Sequence, residues 1–277
     1  MNDIDMSSIE NFTAIGNATA AYQFQGEFDG DNYAISNLKI DKNAIDQGLF
    51  GYVGSDGIIE NVKLVDATVK GQRDVGGIVG ENNGGTIDNC FVDGTISGNK
   101  YVGGIAGNNY GTVKDSFVDG TVGGNNDVGA IVGFSDGTTG DNAFCSDAPD
   151  NTGATKYYVL ELPEGVTAER VSGDAVKFGD KTYYQSGATF KLTTINDMTG
   201  KMFKSGNNIA TYNRATSSYT ITPSNSPIVI DDTPKIGTMS LDLETGTYLI
   251  NNVNDLQSLA TYVNAGNTCA GYTFKLA

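Results

Sequence analysis

The sequence predicts an all-β protein: a parallel β-helix (β-solenoid), then a small antiparallel β-sandwich, with one short capping helix near the C-terminus. Three observations predict it. Val75-Gly76-Gly77-Ile78-Val79-Gly80 returns as Val102-Gly103-Gly104-Ile105-Ala106-Gly107 and as Val128-Gly129-Ala130-Ile131-Val132-Gly133, after a divergent copy at Gly48-Leu49-Phe50-Gly51. A second phrase, Gly85-Thr86-Ile87-Asp88-Asn89, returns as Gly111-Thr112-Val113-Lys114-Asp115, with a looser counterpart opening at Gly57. No unit carries a helical apolar period. Units too small to bury an apolar face alone must stack, and stacked strand-and-turn units make a solenoid with coils about 4.8 Å apart.

Each unit is expected to hold two or three short strands, with β-branched residues inside and Gly, Asn or Asp at the corners. Asn61, Asn89, Asp115 and Asp141 fall at one offset from the glycines that open the strand phrases. Such a column suits corners that need left-handed backbone angles. It also offers clustered oxygen to calcium, but no coil has the dense ligand run of a calcium-binding repeat. No cofactor is therefore expected. The next column, Val62, Cys90, Ser116 and Asn142, is small and points inward. The glycines of the Val-Gly-Gly phrase allow close backbone approach.

These phrases resemble the GLUG motif of bacterial surface adhesins, filamentous-haemagglutinin-like proteins and the non-catalytic region of IgA-cleaving metallopeptidases. Phe24-Gln25-Gly26-Glu27-Phe28-Asp29-Gly30 through Leu38 resembles the lead-in to such repeats. The resemblance covers residues 1–147 and implies a β-helix on a secreted or surface-attached protein. It brings no catalytic residues, because the metallopeptidase zinc motif needs His and this chain has none.

Residues 148–235 read as a small Ig-like sandwich, loosely similar to bacterial surface repeats. Ser146–Gly153 has linker composition, and strand patterns follow at Lys156–Leu162, Ala175–Phe178, Thr182–Tyr184, Ala188–Thr193, Tyr219–Thr222 and Ile228–Ile230. The Tyr-rich strands (Tyr157, Tyr158, Tyr183, Tyr184, Tyr212, Tyr219) suit strand packing and, as an alternative, a sugar platform.

Residues 236–277 read as strand, helix and strand, with Leu256, Leu259, Ala260 and Val263 on one helix face as candidate capping contacts. In proteins of the resembled type this arrangement precedes an Asp-Ile-Asp segment, here at Asp3-Ile4-Asp5, so the order reads as circularly permuted. The tail is expected to cap its own first coil, to cap that of the next copy in a head-to-tail filament, or to be the orphaned end of a cut array.

Seventeen basic against 33 acidic side chains give a net charge of −16. That repels nucleic acid. No run approaches the ~20 apolar residues of a membrane span. Met1–Met6 has no signal-peptide pattern, so an exported protein would here be a fragment or processed form. The sequons at Asn11 and Asn17 are read as coincidence. Cys90 and Cys145 lie about two coils, near 10 Å, apart, too far for a disulfide.

The leading reading is a non-enzymatic extracellular or cell-surface structural or adhesive protein, able to self-associate head to tail. The alternative is a module binding a host or cell-surface glycan or protein. A β-helix polysaccharide-degrading enzyme is the third: the paired carboxylates Asp29 and Asp31, and Asp136 and Asp141, sit where turn residues belong, and His is missing.

Overall fold

The computed structural model describes residues 2–145, 153–178, 181–198, 201–224, 226–234, 236–237, 239–265, 269 and 272–276. Its contacts divide the chain into two units, residues 1–157 and 158–277. The expected linker lies almost wholly outside the described residues.

The first unit is a β-solenoid built from four parallel ladders. One stacks Glu27–Asp29, Ile58–Glu60, Thr86–Asp88, Thr112–Lys114 and Thr138–Gly140. A second runs from Ile4–Asp5 through Ala34–Ser36, Lys63–Lys70, Phe91–Ser97 and Phe117–Gly123 to Ala143–Cys145, where Thr155–Val159 adds in parallel. A third stacks Ile45–Gln47, Arg73–Gly76, Lys100–Gly103 and Asn126–Gly129. The fourth stacks Phe50–Val53, Val79–Asn82, Ala106–Asn109 and Val132–Ser135.

A coil thus has four strands rather than two or three. The Val-Gly-Gly-Ile-Val-Gly phrase bends at Gly77-Ile78 and supplies both the third and the fourth ladder. Its glycines make the bend compact. A Cβ on Gly104 would lie 2.5 Å from the Ala130 carbonyl and 2.6 Å from each Val118 γ-carbon.

Equivalent residues of successive coils stack into the core: Ile59, Ile87 and Val113; Leu64, Val92 and Val118; Ile78, Ile105 and Ile131. Every one is fully or almost fully buried. Stacking like on like keeps branched side chains in the same rotamer environment coil after coil. On one outer wall Phe91 and Phe117 stack with their rings 10° from parallel, and Tyr157 meets Phe117 edge-on.

The second unit contains antiparallel sheets. Val166–Ser172, Thr189–Thr194, Ser218–Ile221 and Thr211–Asn213 form one; Asn208–Ile209, Lys201–Ser205 and Val229–Asp232 form another. Phe190, Leu192, Phe203, Tyr219, Ile221 and Ile228 share one core. This is the arrangement of a small sandwich.

Its last part is strand Thr247–Ile250, helix Val253–Asn264 and strand Thr273–Leu276, the two strands pairing in parallel. Asn252 caps the helix, its side-chain oxygen accepting from the Asn254 and Asp255 amides at 2.9 and 3.2 Å. A small core of Ile236, Met239, Tyr248 and Ile250 takes Leu259 and Tyr262 from the helix.

Candidate functional site

Asn61, Asn89, Asp115 and Asp141 all have left-handed backbone angles, φ 55°, 47°, 52° and 45°. They stand at the turn between the first and second ladders. Asn89 Nδ2 donates to Asn61 Oδ1 at 2.7 Å, and Asn61 Nδ2 to Asp29 Oδ1 at 2.9 Å. Asp29 Oδ1 also accepts the Asp31 amide, so its carboxylate serves the turn. These hydrogen bonds to the ionised form hold Asp29 below the usual carboxylate range. Side-chain rungs of this kind tie one corner to the next.

The next column is buried and also bonded between coils. Ser116 Oγ accepts the Cys90 amide at 3.1 Å, and Asn142 Oδ1 the Ser116 amide at 3.0 Å. Cys90, Cys145 and Cys269 are free thiols, and burial pushes Cys90 up to about 12, which makes it inert as a nucleophile.

The sandwich tyrosines make no surface platform. Tyr157, Tyr158, Tyr183 and Tyr219 are buried, while Tyr184 and Tyr212 pack edge-on or tilted against Phe190 and Tyr219. Of the four helix residues expected at a cap, Leu259 turns into the local core. Leu256, Ala260 and Val263 stay exposed, and Val253 and Leu249 beside them are exposed too. Leu259 and Tyr262 form the packed stripe instead, because Tyr262 offers the larger apolar body.

A second left-handed column escaped the sequence reading: Asp46, Asp74, Tyr101 and Asp127, φ 55°, 54°, 54° and 51°. It runs up the third ladder. Facing it on the fourth is the column Tyr52, Glu81, Asn108 and Phe134. Glycine brings the two together, since a Cβ on Gly80 would lie 2.5 Å from the Asp46 backbone carbonyl carbon. In one part of the stack the columns meet as aromatic rings, Tyr101 against Phe134 at 5.2 Å.

In the neighbouring part they meet as carboxylates. Oxygens of Asp46, Asp74 and Glu81 lie within 4.8 Å of one another. Asp74 is fully buried, with Oδ2 accepting from Arg73 Nε at 2.7 Å. Burial, then the charges of Asp74 and Glu81, push Asp46 up to about 6. Burial raises Asp74 despite Arg73, and raises Glu81 despite hydrogen bonds from Tyr52 and Asn108. Asp recurs in three of the four coils of the left-handed column, but the facing column changes type in every coil, so no repeated letter marks Glu81 as its partner.

Two GLUG motifs match, at residues 71–97 and 98–123. They support a GLUG β-helix region. The chain is similar to halomucin of Haloquadratum walsbyi, 44% identical over 98 residues, which is 35% of this chain and 1% of that protein. It is also similar to an immunoglobulin A1 protease of Streptococcus sanguinis, 38% identical over 76 residues, 27% of this chain and 4% of that protein. The chain thus spans a few hundredths of each relative's length. No solved structure shows significant similarity to it.

Proposed function

We propose that this chain is a non-enzymatic, scaffold-forming segment of an extracellular or cell-surface protein. The observation that carries the reading is the register. Four ladders run through successive coils with like residues stacked, and from Glu27 to Cys145 the described connections between strands are tight corners of a few residues. The GLUG matches and the similarity to halomucin support it. The protease similarity covers too little of that enzyme to bring an activity with it.

Within this reading the strand–helix–strand of residues 236–277 is a cap for a solenoid edge, its own or that of the next copy. Two unburied apolar surfaces favour it: Val253, Leu256 and Val263 on the helix, and Ile4, Ile9 and Ile15 on the first coil. Scattered exposed apolar residues are ordinary; a row of them on a helix face marks an association surface, and an open strand edge such as Ile4–Asp5 can receive it.

The test is Leu256→Glu with Val263→Glu, two exposed positions that leave the local core intact. If the cap works between copies, light scattering shows mass rising with concentration for the unaltered chain and a monomer for the variant. If it works within one chain, both are monomers and the variant melts several degrees lower. Equal mass and equal melting discard the cap and leave the scaffold standing. Cleavage of acidic polysaccharides by the unaltered chain would sink the scaffold reading itself.

A further inference from the structure

We propose that Asp46, Asp74 and Glu81 together bind one divalent cation of the hard, oxygen-seeking class, calcium in the first place. This does not depend on the scaffold reading.

The geometry carries it. Oxygens around a calcium ion sit at about 2.3–2.6 Å, so ligands on one shell are at most about 5 Å apart. The three carboxylates satisfy that spacing, with their oxygens all within 4.8 Å. They come from three separate strands, Ile45–Gln47, Arg73–Gly76 and Val79–Asn82, so adjacent coils and adjacent ladders all contribute.

Asp46 Oδ1 and Asp74 Oδ1 are buried without a hydrogen-bond partner. A residue outside the acidic set repeats the pattern. Asn108 is 4% exposed, reaches Glu81 through a side-chain hydrogen bond, and keeps its Oδ1 unpartnered. Buried oxygens left this way are costly and rare in folded proteins. Arg73 supplies one positive charge against three carboxylates, which leaves a surplus that a divalent ion would neutralise.

The backbone does not demand these residues. Tyr101 occupies the same left-handed column as Asp46 and Asp74, with the same angle. Glu81 lies in an extended strand whose register partners are Tyr52 and Asn108, so it has no turn to serve. Turn propensity thus explains an Asp in the column but not three converging carboxylates.

The experiment is a calcium titration of the full chain, followed by calorimetry and by thermal melting. One saturable site is expected, with melting raised by about 5–10 °C at a hundredfold excess over Kd. Glu81→Gln, which keeps the shape, should weaken binding at least tenfold. Without calcium it should melt no lower than the unaltered chain, because it relieves like-charge repulsion. Asp46→Asn should behave in the same way.

Terbium luminescence gives a readout on the unaltered chain alone. The chain lacks Trp, and the Tyr52 hydroxyl is hydrogen-bonded to Glu81, so a bound lanthanide would be sensitised there and displaced by calcium. Absence of a saturable site at about 10 mM calcium, above the range of weak extracellular calcium modules, overturns the proposal. So does a response that survives in both variants, since that is diffuse binding to an acidic surface. Tighter binding of magnesium than calcium overturns the choice of ion.

Discussion

Gly103→Ala is expected to destabilise the solenoid by about 3 kcal/mol or more, at the upper end of what overpacking costs. The added methyl would stand 2.1 Å from the Ala106 carbonyl oxygen and 2.7 Å from both the Gly133 amide and the Ile131 carbonyl. All three obstacles are backbone, so no side-chain rotation relieves them. The Ile131 carbonyl accepts from the amides of Ile105 and Ala106 at 2.9 and 3.2 Å, and moving it breaks the rung that joins two coils. Gly123→Ala is the matched control. It lies in a paired strand opposite Ser97, and a methyl there meets nothing within 4 Å. That change should be neutral or stabilise by about 0.4–1 kcal/mol through the unfolded chain. Urea unfolding of the two variants beside the unaltered chain decides it. Similar midpoints for all three would mean that the backbone around Gly103 relaxes freely, and that close approach of the coils there does not hold them in place.

The period of the fold was legible because the glycines that permit close approach cannot be replaced without collision. They therefore recur as letters: Gly76 and Gly103 stand in register on one ladder, and Gly77 and Gly104 mark the bend that follows. What the letters did not reveal was that bend. Read as one strand, the phrase places Asp74 and Glu81 too far apart on a single extended segment to share a ligand. Folded at Gly77-Ile78, it turns them onto facing ladders, and Gly80 then brings Glu81 beside Asp46 of the previous coil. The Asn61 column invites calcium in the sequence because it is uniform in oxygen-bearing residues. Uniformity there reflects a structural duty, rungs such as Asn89 to Asn61. In the acidic cluster Asp46 and Asp74 follow their column, and the departure is Glu81, whose register partners Tyr52 and Asn108 carry no carboxylate; a charge placed there without structural need is the signature of a site. In the tail the structure divides the apolar helix face between two surroundings. Leu256, Leu259, Ala260 and Val263 fit one apolar stripe, but helix rotation is set by the best-packing residue, and Tyr262 draws the face round toward Tyr248 and Phe274.

Asn109→Leu is the second large effect, expected to cost about 2–3 kcal/mol although it adds apolar bulk to an apolar core. Asn109 is fully buried at the turn between the fourth ladder and the first. Its Oδ1 accepts from Asn82 Nδ2 at 2.8 Å and from the Gly111 amide at 3.2 Å. Its Nδ2 donates to Ser135 Oγ at 3.1 Å in the coil above and to the Gly111 carbonyl at 3.3 Å. One side chain therefore satisfies polar groups in three consecutive coils. Leucine would leave the Gly111 amide without that acceptor, while Asn82 would retain its bond to the Gly85 carbonyl at 3.0 Å. Asn109→Asp separates shape from hydrogen bonding. It keeps the outline and the acceptor, loses the donor toward Ser135 and Gly111, and buries a charge, so its deficit should shrink as pH falls and the carboxyl regains a proton. A double-mutant cycle with Asn82→Ala should return a coupling of about 1 kcal/mol or more, since the two amides form one network. If Asn109→Leu unfolds with the unaltered chain, the polar ladder is dispensable and backbone pairing with apolar stacking holds the coils together. If it fails as expected, each inward asparagine fixes the register of the coils on either side of it, a role that apolar packing alone cannot fill because Ile78, Ile105 and Ile131 are interchangeable in shape.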